Sequence, residues 1–221
     1  MDIIILLIII FFIYIHYDCW YDKYILNKLY GVQFNFNNNE FKYYNNFNFA
    51  ITPNSSRKFI SIFKDLKVNK NNTVLDIGCG NGYFLLLINK YLKCKKLYGV
   101  EIDKNTFNIC KNNIKVSKCK NISIYHENAV NFKIPVDVNL IYLFNPFDKF
   151  YFFSDSEDLE NYKIIIKNIK FSYIQQIRDI KIIFININEE IKEIFSKHFI
   201  CLKDDYLFYQ YQFINYSVYK L

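Results

Sequence analysis

Arginine is almost missing from this chain: Arg57 and Arg178 are its only guanidinium groups, and the formal net charge of +7 comes from lysines dispersed along 221 residues. Planar, bidentate phosphate reading is therefore scarce, and the lysines read as a solvated basic surface in preference to a nucleic-acid groove. Paired metal-ligand spacings are missing too. Cys19, Cys79, Cys94, Cys110, Cys119 and Cys201 form no CxxC pair, and no two of His16, His126 and His198 stand at the HxxxH spacing of zinc ligands. Several of these cysteines fall in apolar runs, so they read as reduced, cytosolic thiols without a metal. The length excludes two full domains but accommodates one α/β domain with a short extension, and hence one active site. Aromatic residues, at 20%, are not scarce. They arrive with so much Ile, Asn and Lys that a coding bias explains them better than base stacking does.

The first residues lack any basic group. Ile3 to Tyr17 contain no Asp, Glu, Lys or Arg and are nearly all Ile, Leu, Phe or Tyr; as a helix they would span ~22 Å, against a hydrocarbon core of ~30 Å. Trp20 and Tyr21 could lie in the headgroup belt and extend the segment. Without a basic n-region or a small-residue cleavage site, a retained anchor (residues 1–20) is expected in place of a signal peptide. Lys23 and Lys28 follow the run, which favours the cytoplasmic face of the membrane for the rest of the chain. An ordinary buried helix capping the domain is the alternative. Residues 21–49, with the Asn-rich stretch Gln33 to Phe49, read as a connector, and the globular domain is expected over residues 50–221.

Within that domain the apolar spacing alternates. A helix is expected after Pro53-Asn54-Ser55, with Phe59, Ile60, Phe63 and Leu66 on one face. Strands are expected at Thr73 to Ile77, Leu97 to Ile102, Ile122 to Tyr125, Val138 to Phe144 and Lys181 to Ile187. Helical spacing separates them at Phe84 to Leu92, at Lys104 to Val116, and along Leu159, Tyr162, Ile165, Ile166 and Ile169. This alternation implies a mostly parallel sheet with helices on both faces. A short helix around Glu189 to His198 leads into two further strands, Phe199 to Leu202 and Gln210 to Tyr219, with a turn expected near Asp204 and Asp205. The sheet is thus expected to have seven strands and a C-terminal antiparallel hairpin.

Glycine is rare, yet three of five glycines fall in Asp76-Ile77-Gly78-Cys79-Gly80-Asn81-Gly82 at the first strand-to-helix turn. A dinucleotide fingerprint, GxGxxG, would need glycine where Tyr83 stands. The observed GxGxG behind an acid resembles the loop of class I S-adenosylmethionine-dependent methyltransferases, and the terminal antiparallel strand is the usual ending of that Rossmann-like fold. The resemblance implies S-adenosylmethionine as cofactor, with Asp76, Gly78, Cys79, Gly80 and Gly82 around its amino-acid moiety. It also implies Glu101, at the end of the second strand, on the ribose hydroxyls, and Asn128 and Ala129, after the third, at the adenine. Asn128 replaces the family's usual acid there. The alternative for Asp76 and Glu101 is that they cap helices. His126, beside this segment, reads as structural.

Strand four runs into Asn145-Pro146-Phe147, where amino-group methyltransferases carry Asn-Pro-Pro-aromatic. These three residues are the candidate catalytic set, through alignment of a planar nitrogen; the bland alternative is a strand-end turn. More widely the chain resembles small bacterial class I methyltransferases that share an N-terminal hydrophobic segment, a lead-in like Leu29-Tyr30-Gly31-Val32 and the strand-four NPF, although the proline of their aromatic-x-Pro stretch is missing at Phe49-Ala50-Ile51-Thr52. The layout is also similar to that of membrane-associated lysine methyltransferases. Methyl transfer is an in-line displacement driven by alignment, so no general base need be visible. The sequence favours N-methylation of a protein or small-molecule amine near the membrane. Methylation of a nucleic-acid base amino group is the second reading, and an inactive cofactor-binding interaction module the third.

Overall fold

The computed structural model describes residues 5–7, 28, 56–144, 146–147, 156–209 and 212–221. Most of the expected anchor and all of the Asn-rich stretch 33–49 lie outside them. Among the described residues, no helix is long and apolar enough to cross a membrane.

Seven strands form one sheet: β1 (Thr73–Ile77), β2 (Lys96–Glu101), β3 (Ile122–His126), β4 (Leu140–Phe144), β5 (Lys181–Ile185), β6 (Ile200–Tyr209) and β7 (Gln212–Lys220). Their spatial order is β3-β2-β1-β4-β5-β7-β6. The first five run parallel, and β7 lies antiparallel between β5 and β6. The helices are α1 (Ser56–Asp65), α2 (Tyr83–Leu92), α3 (Lys104–Ser117), α4 (Ser156–Gln175) and α5 (Glu189–Ser196).

Continuous apolar strands such as LIYLF and KIIFI require cover on both faces, and the period of two sorts their side chains into two cores. Val74, Tyr142, Ile183 and Ile185 pack with Phe63 of α1, Phe84 and Leu85 of α2 and Cys110 of α3. Their immediate neighbours Leu75, Ile141, Leu143, Ile182 and Phe184 face the other way, onto Tyr162, Ile165 and Ile169 of α4 and Ile191 and Phe195 of α5. Phe184 lies 5.4 Å from both Tyr162 and Phe195, edge-on to the latter, and is fully buried. Truncation to alanine removes a ring the surrounding helices cannot replace, so Phe184→Ala is expected to cost about 3–5 kcal/mol. Urea unfolding should show this as a lower midpoint at unchanged slope.

The hairpin departs from its sequence expectation. Asp204 and Asp205 make no turn: β6 runs through them to Tyr209, with only an irregularity between Cys201 and Lys203. Both carboxylates are used within the ladder, Asp204 accepting from Ser217 Oγ at 2.7 Å and Asp205 from Tyr216 OH at 3.4 Å. On an exposed edge strand, charge does not break the extended conformation and helps protect the edge.

Candidate functional site

The C-terminal ends of β1, β2, β3 and β4 lie along one edge of the sheet, and the sequence-predicted residues gather there. At the end of β1 the chain turns sharply: Gly78, Gly80 and Gly82 have φ of +80°, +54° and +81°, the left-handed region that glycine enters without strain. Gly78 N and Cys79 N both donate to Val100 O at 3.0 Å, tying the turn to β2. Its far side is held by Asn113, a buried residue of α3 whose Nδ2 donates to Asn81 O at 3.0 Å.

Close approach explains the motif further. A Cβ on Gly82 would lie 2.7 Å from Cys110 Sγ, one on Gly99 2.7 Å from Leu85 Cδ1, and one on Gly78 3.2 Å from Pro146 Cβ. Above Gly80 there is nothing within 4 Å of such a Cβ, so the turn presents open space at its middle glycine. Cys79 points away from it. Its side chain is buried, and its thiol is pushed up by a hydrogen bond with Cys110 and by burial. Cys79 can therefore meet a ligand only through its backbone.

Glu101 is oriented before any ligand arrives. Its Oε2 accepts from Gly80 N and its Oε1 from Asp103 N, each at 2.9 Å. A carboxylate has about four acceptor directions, so each oxygen keeps capacity for a hydroxyl. Burial raises the Glu101 carboxyl above its ordinary value, while the bonds from Asp103 and Gly80 oppose the rise. Asp76 is buried more deeply and is raised well above the carboxylate range, first by burial and then by Glu101. Both influences on Asp76 disfavour its anion, so the pair presents a place for a cation.

Neither acid caps a helix. The cap of α3 is Asp103, which accepts from Thr106 N at 2.7 Å, and α2 begins behind Gly82 without a side-chain cap. The capping alternative is thereby removed by the geometry. At the end of β3, His126 Nε2 lies 3.0 Å from Ile102 O and its ring stacks on Phe107 at 5.2 Å, a structural role. Glu127 N donates to Glu101 O at 3.1 Å, which brings the following loop beside β2. Asn128 Oδ1 accepts from Val130 N at 3.1 Å, and Asn168 of α4 donates to Val130 O at 2.8 Å. That loop is pinned, and Asn128 and Ala129 are half-buried at its start.

Ile102 was not legible as a site residue. It directly follows Glu101, yet it is 61% exposed, an apolar surface beside the acid where a flat ring could rest. A large aliphatic residue at a strand end was the available signal. Asn145 lies outside the described residues. Pro146 abuts the glycine turn, and Phe147 is half-buried with its ring edge-on to Tyr162 at 5.0 Å. Among the described residues, no group of three or more His, Cys, Asp or Glu could hold a metal ion.

Comparison with known proteins agrees with this geometry. Residues 55–145 match the TRM5/TYW2 methyltransferase domain family. Over that stretch the chain is similar to a methyltransferase domain. The match covers α1 through β4 and so contains the glycine turn, Asp76, Glu101 and Asn128. An uncharacterised protein of Methanocaldococcus jannaschii is 37% identical over 84 residues, covering 36% of this chain; the chain spans about a third (32%) of that relative's length. Among solved structures, a methyltransferase from Pyrococcus furiosus superimposes with a TM-score of 0.61 at 17% identity, covering 93% of this chain and 96% of that one. TYW2 of M. jannaschii, solved in complex with AdoMet, gives 0.50 at 17% identity, covering 73% and 74%. At these identities the structures speak for the fold, which is Rossmann-like, with a seven-stranded mixed sheet and helices on both faces.

Proposed function

We propose that the methyltransferase modifies a nitrogen of an RNA base, most specifically in a tRNA. The observation that carries this reading is the TRM5/TYW2 match across the cofactor half, a family that points to tRNA base methylation. It reverses the order of preference drawn from the sequence alone, in which protein or small-molecule amines stood first. The scarcity of arginine argued against a dedicated phosphate groove, but a +7 chain still attracts a polyanion.

The residues fit the cofactor on their own geometry. Asp76 is a buried carboxylate with no offsetting cation among the influences upon it, and an amino-acid ammonium is the complementary group. Glu101, held by two backbone amides, has its remaining acceptor directions available for vicinal hydroxyls. Ile102, Asn128 and Ala129 provide an apolar and amide-lined place for a purine ring. When bound, S-adenosylmethionine supplies a methyl carbon activated by its sulfonium. The protein's task is then to align the acceptor nitrogen, and Asn145, Pro146 and Phe147 at the end of β4 are the proposed aligning residues. Contact between Pro146 and Gly78 couples their position to that of the cofactor turn.

The raised Asp76 gives the proposal a pH signature. In the apoprotein, the folded state holds this proton more tightly than the unfolded state, so its stabilising effect is complete below about pH 4 and is lost as pH rises through the raised value. An ammonium prefers the anion, so binding expels the proton, and affinity falls as pH drops into the window above about 4. Asp76→Asn is therefore expected to make the apoprotein more heat-stable than wild type at neutral pH while weakening S-adenosylmethionine about tenfold or more. Calorimetry across pH, on both proteins, checks the two effects together.

Transfer of a tritiated methyl group from S-adenosylmethionine, followed by separation of RNA from protein, tests the acceptor. Label in the tRNA fraction supports the reading, and label confined to protein returns the amine hypothesis. The uncharged run at residues 3–17 is the basis for proposing, in addition, a tether at the cytoplasmic face of a membrane. Sedimentation of the full chain with vesicles, lost when residues 1–20 are removed, is the outcome expected.

A further inference from the structure

Strand β7 pairs with β5 only from Tyr216 to Lys220, opposite Ile185 to Lys181. The hairpin nevertheless continues through Tyr206↔Asn215, Leu207↔Ile214, Phe208↔Phe213 and Tyr209↔Gln212. Because β5 runs parallel to β1, β2 and β4, this surplus lies past the same edge that carries Gly78, Glu101 and Pro146. At about 3.3 Å per residue, four extra pairs rise about 13 Å above that edge. Topology thus places a two-stranded ribbon on the acceptor side of the site, two strands away from β4.

Its root is braced. Asn186 N donates to Asn215 O at 2.8 Å, and Asn215 Nδ2 donates to Ile187 O at 2.6 Å. Asp204 is ion-paired with Lys192 of α5 and accepts from Ser217. Asp205 takes Tyr216 OH and Lys203 Nζ, both at 3.4 Å. These bonds fix the base of the ribbon to the β5–α5 turn and to α5, so its direction is set by the domain.

Chemistry changes along the ribbon. Lys203, Asp204 and Asp205 lie at its root, but residues 206–215, YLFYQYQFIN, carry no charge and include five aromatics in sequence. Tyr206, the first of them, is 66% exposed. A two-stranded ribbon is marginal on its own in water, and an uncharged edge invites pairing, so this composition suits a ligand with flat apolar faces. An arm without carboxylates also leaves a polyanion's approach unopposed.

We propose that this ribbon is the acceptor arm of the methyltransferase, stacking unpaired nucleobases next to the methylated one. The assignment rests on the RNA reading above and adds to it the part of the chain that recognises the substrate. Stacking on an aromatic side chain tolerates any base, and its loss is felt in affinity more than in chemistry.

Binding of total tRNA to the full chain, measured with S-adenosylmethionine affinity on the same preparations, tests it. Tyr206→Ala should weaken tRNA about tenfold and Tyr206→Phe should bind like wild type; replacing residues 208–213 by Asn-Gly should weaken tRNA further. Cofactor affinity should be unchanged in all three. If the arm variants bind tRNA as wild type does, the arm assignment falls and the RNA reading stands. If wild type neither binds nor labels tRNA, the RNA reading falls with it. Loss of methyl transfer to a protein, with tRNA unaffected, would make the arm a protein-docking element and overturn the proposal.

Discussion

Replacing Glu101 by alanine is expected to weaken S-adenosylmethionine about 100-fold while leaving a folded domain. Two ribose hydroxyls donating to a carboxylate are charge-assisted bonds, each worth about 1.5–3 kcal/mol. The lower figure for both already gives that factor. Part of the loss is indirect. Glu101 also accepts from Gly80 N and Asp103 N, so alanine releases the middle of the glycine turn and the entry to α3. Stability suffers less than affinity, because Gly80 and Asp103 lie where water can replace the lost acceptor and because burial already raises the carboxyl. Glu101→Gln keeps one acceptor oxygen and should fall between, about tenfold weaker than wild type. Calorimetric titration with a parallel melting curve separates binding from folding.

Gly82→Ala is expected to be the most damaging single-methyl change in the site. At φ +81° an L-residue is strained by about 1–2 kcal/mol, and the new Cβ would stand 2.7 Å from Cys110 Sγ, adding about 1–3 kcal/mol of overpacking. The sum, about 2–5 kcal/mol, is a large share of a domain stability of about 5–15 kcal/mol. Cofactor binding should fall as well, since the turn and the start of α2 move together. Cys110→Ala in the same chain removes the overlap but not the backbone strain, so the double variant should recover part of the loss. Full recovery would mean that φ is unimportant there; no recovery would mean that the thiol gives way at little cost.

Much of this site was legible because its requirements are local. Left-handed turns and close approaches select glycine, so the loop from Gly78 to Gly82 could be read as a tight strand-to-helix turn without knowing what packs around it. The parallel sheet was legible for a similar reason: strands covered on both faces must be apolar throughout. What escaped depends on partners distant in sequence. Asp204 and Asp205 look like turn residues until Ser217, Tyr216 and Lys192 are seen across the ladder. Asn113 looks like an ordinary helix residue until its amide is found on Asn81 O, under the glycine turn. Gly99 carries no signal of its own either; it is glycine because Leu85 and Cys79 fill the space where a side chain would go. Ile102 reads as the last residue of a buried strand, yet the strand ends at Glu101 and leaves it in the open.

The turn behind β1 and the acid ending β2 are proposed to hold S-adenosylmethionine and not a dinucleotide. Titrating the folded full chain with S-adenosylmethionine, S-adenosylhomocysteine and NAD in one calorimetric series tests it most directly. The predicted result is saturable binding of both sulfur compounds, with a proton released on S-adenosylmethionine binding below neutral pH, and no heat from NAD. Binding of NAD without S-adenosylmethionine, or of neither by a cooperatively melting protein, would contradict it.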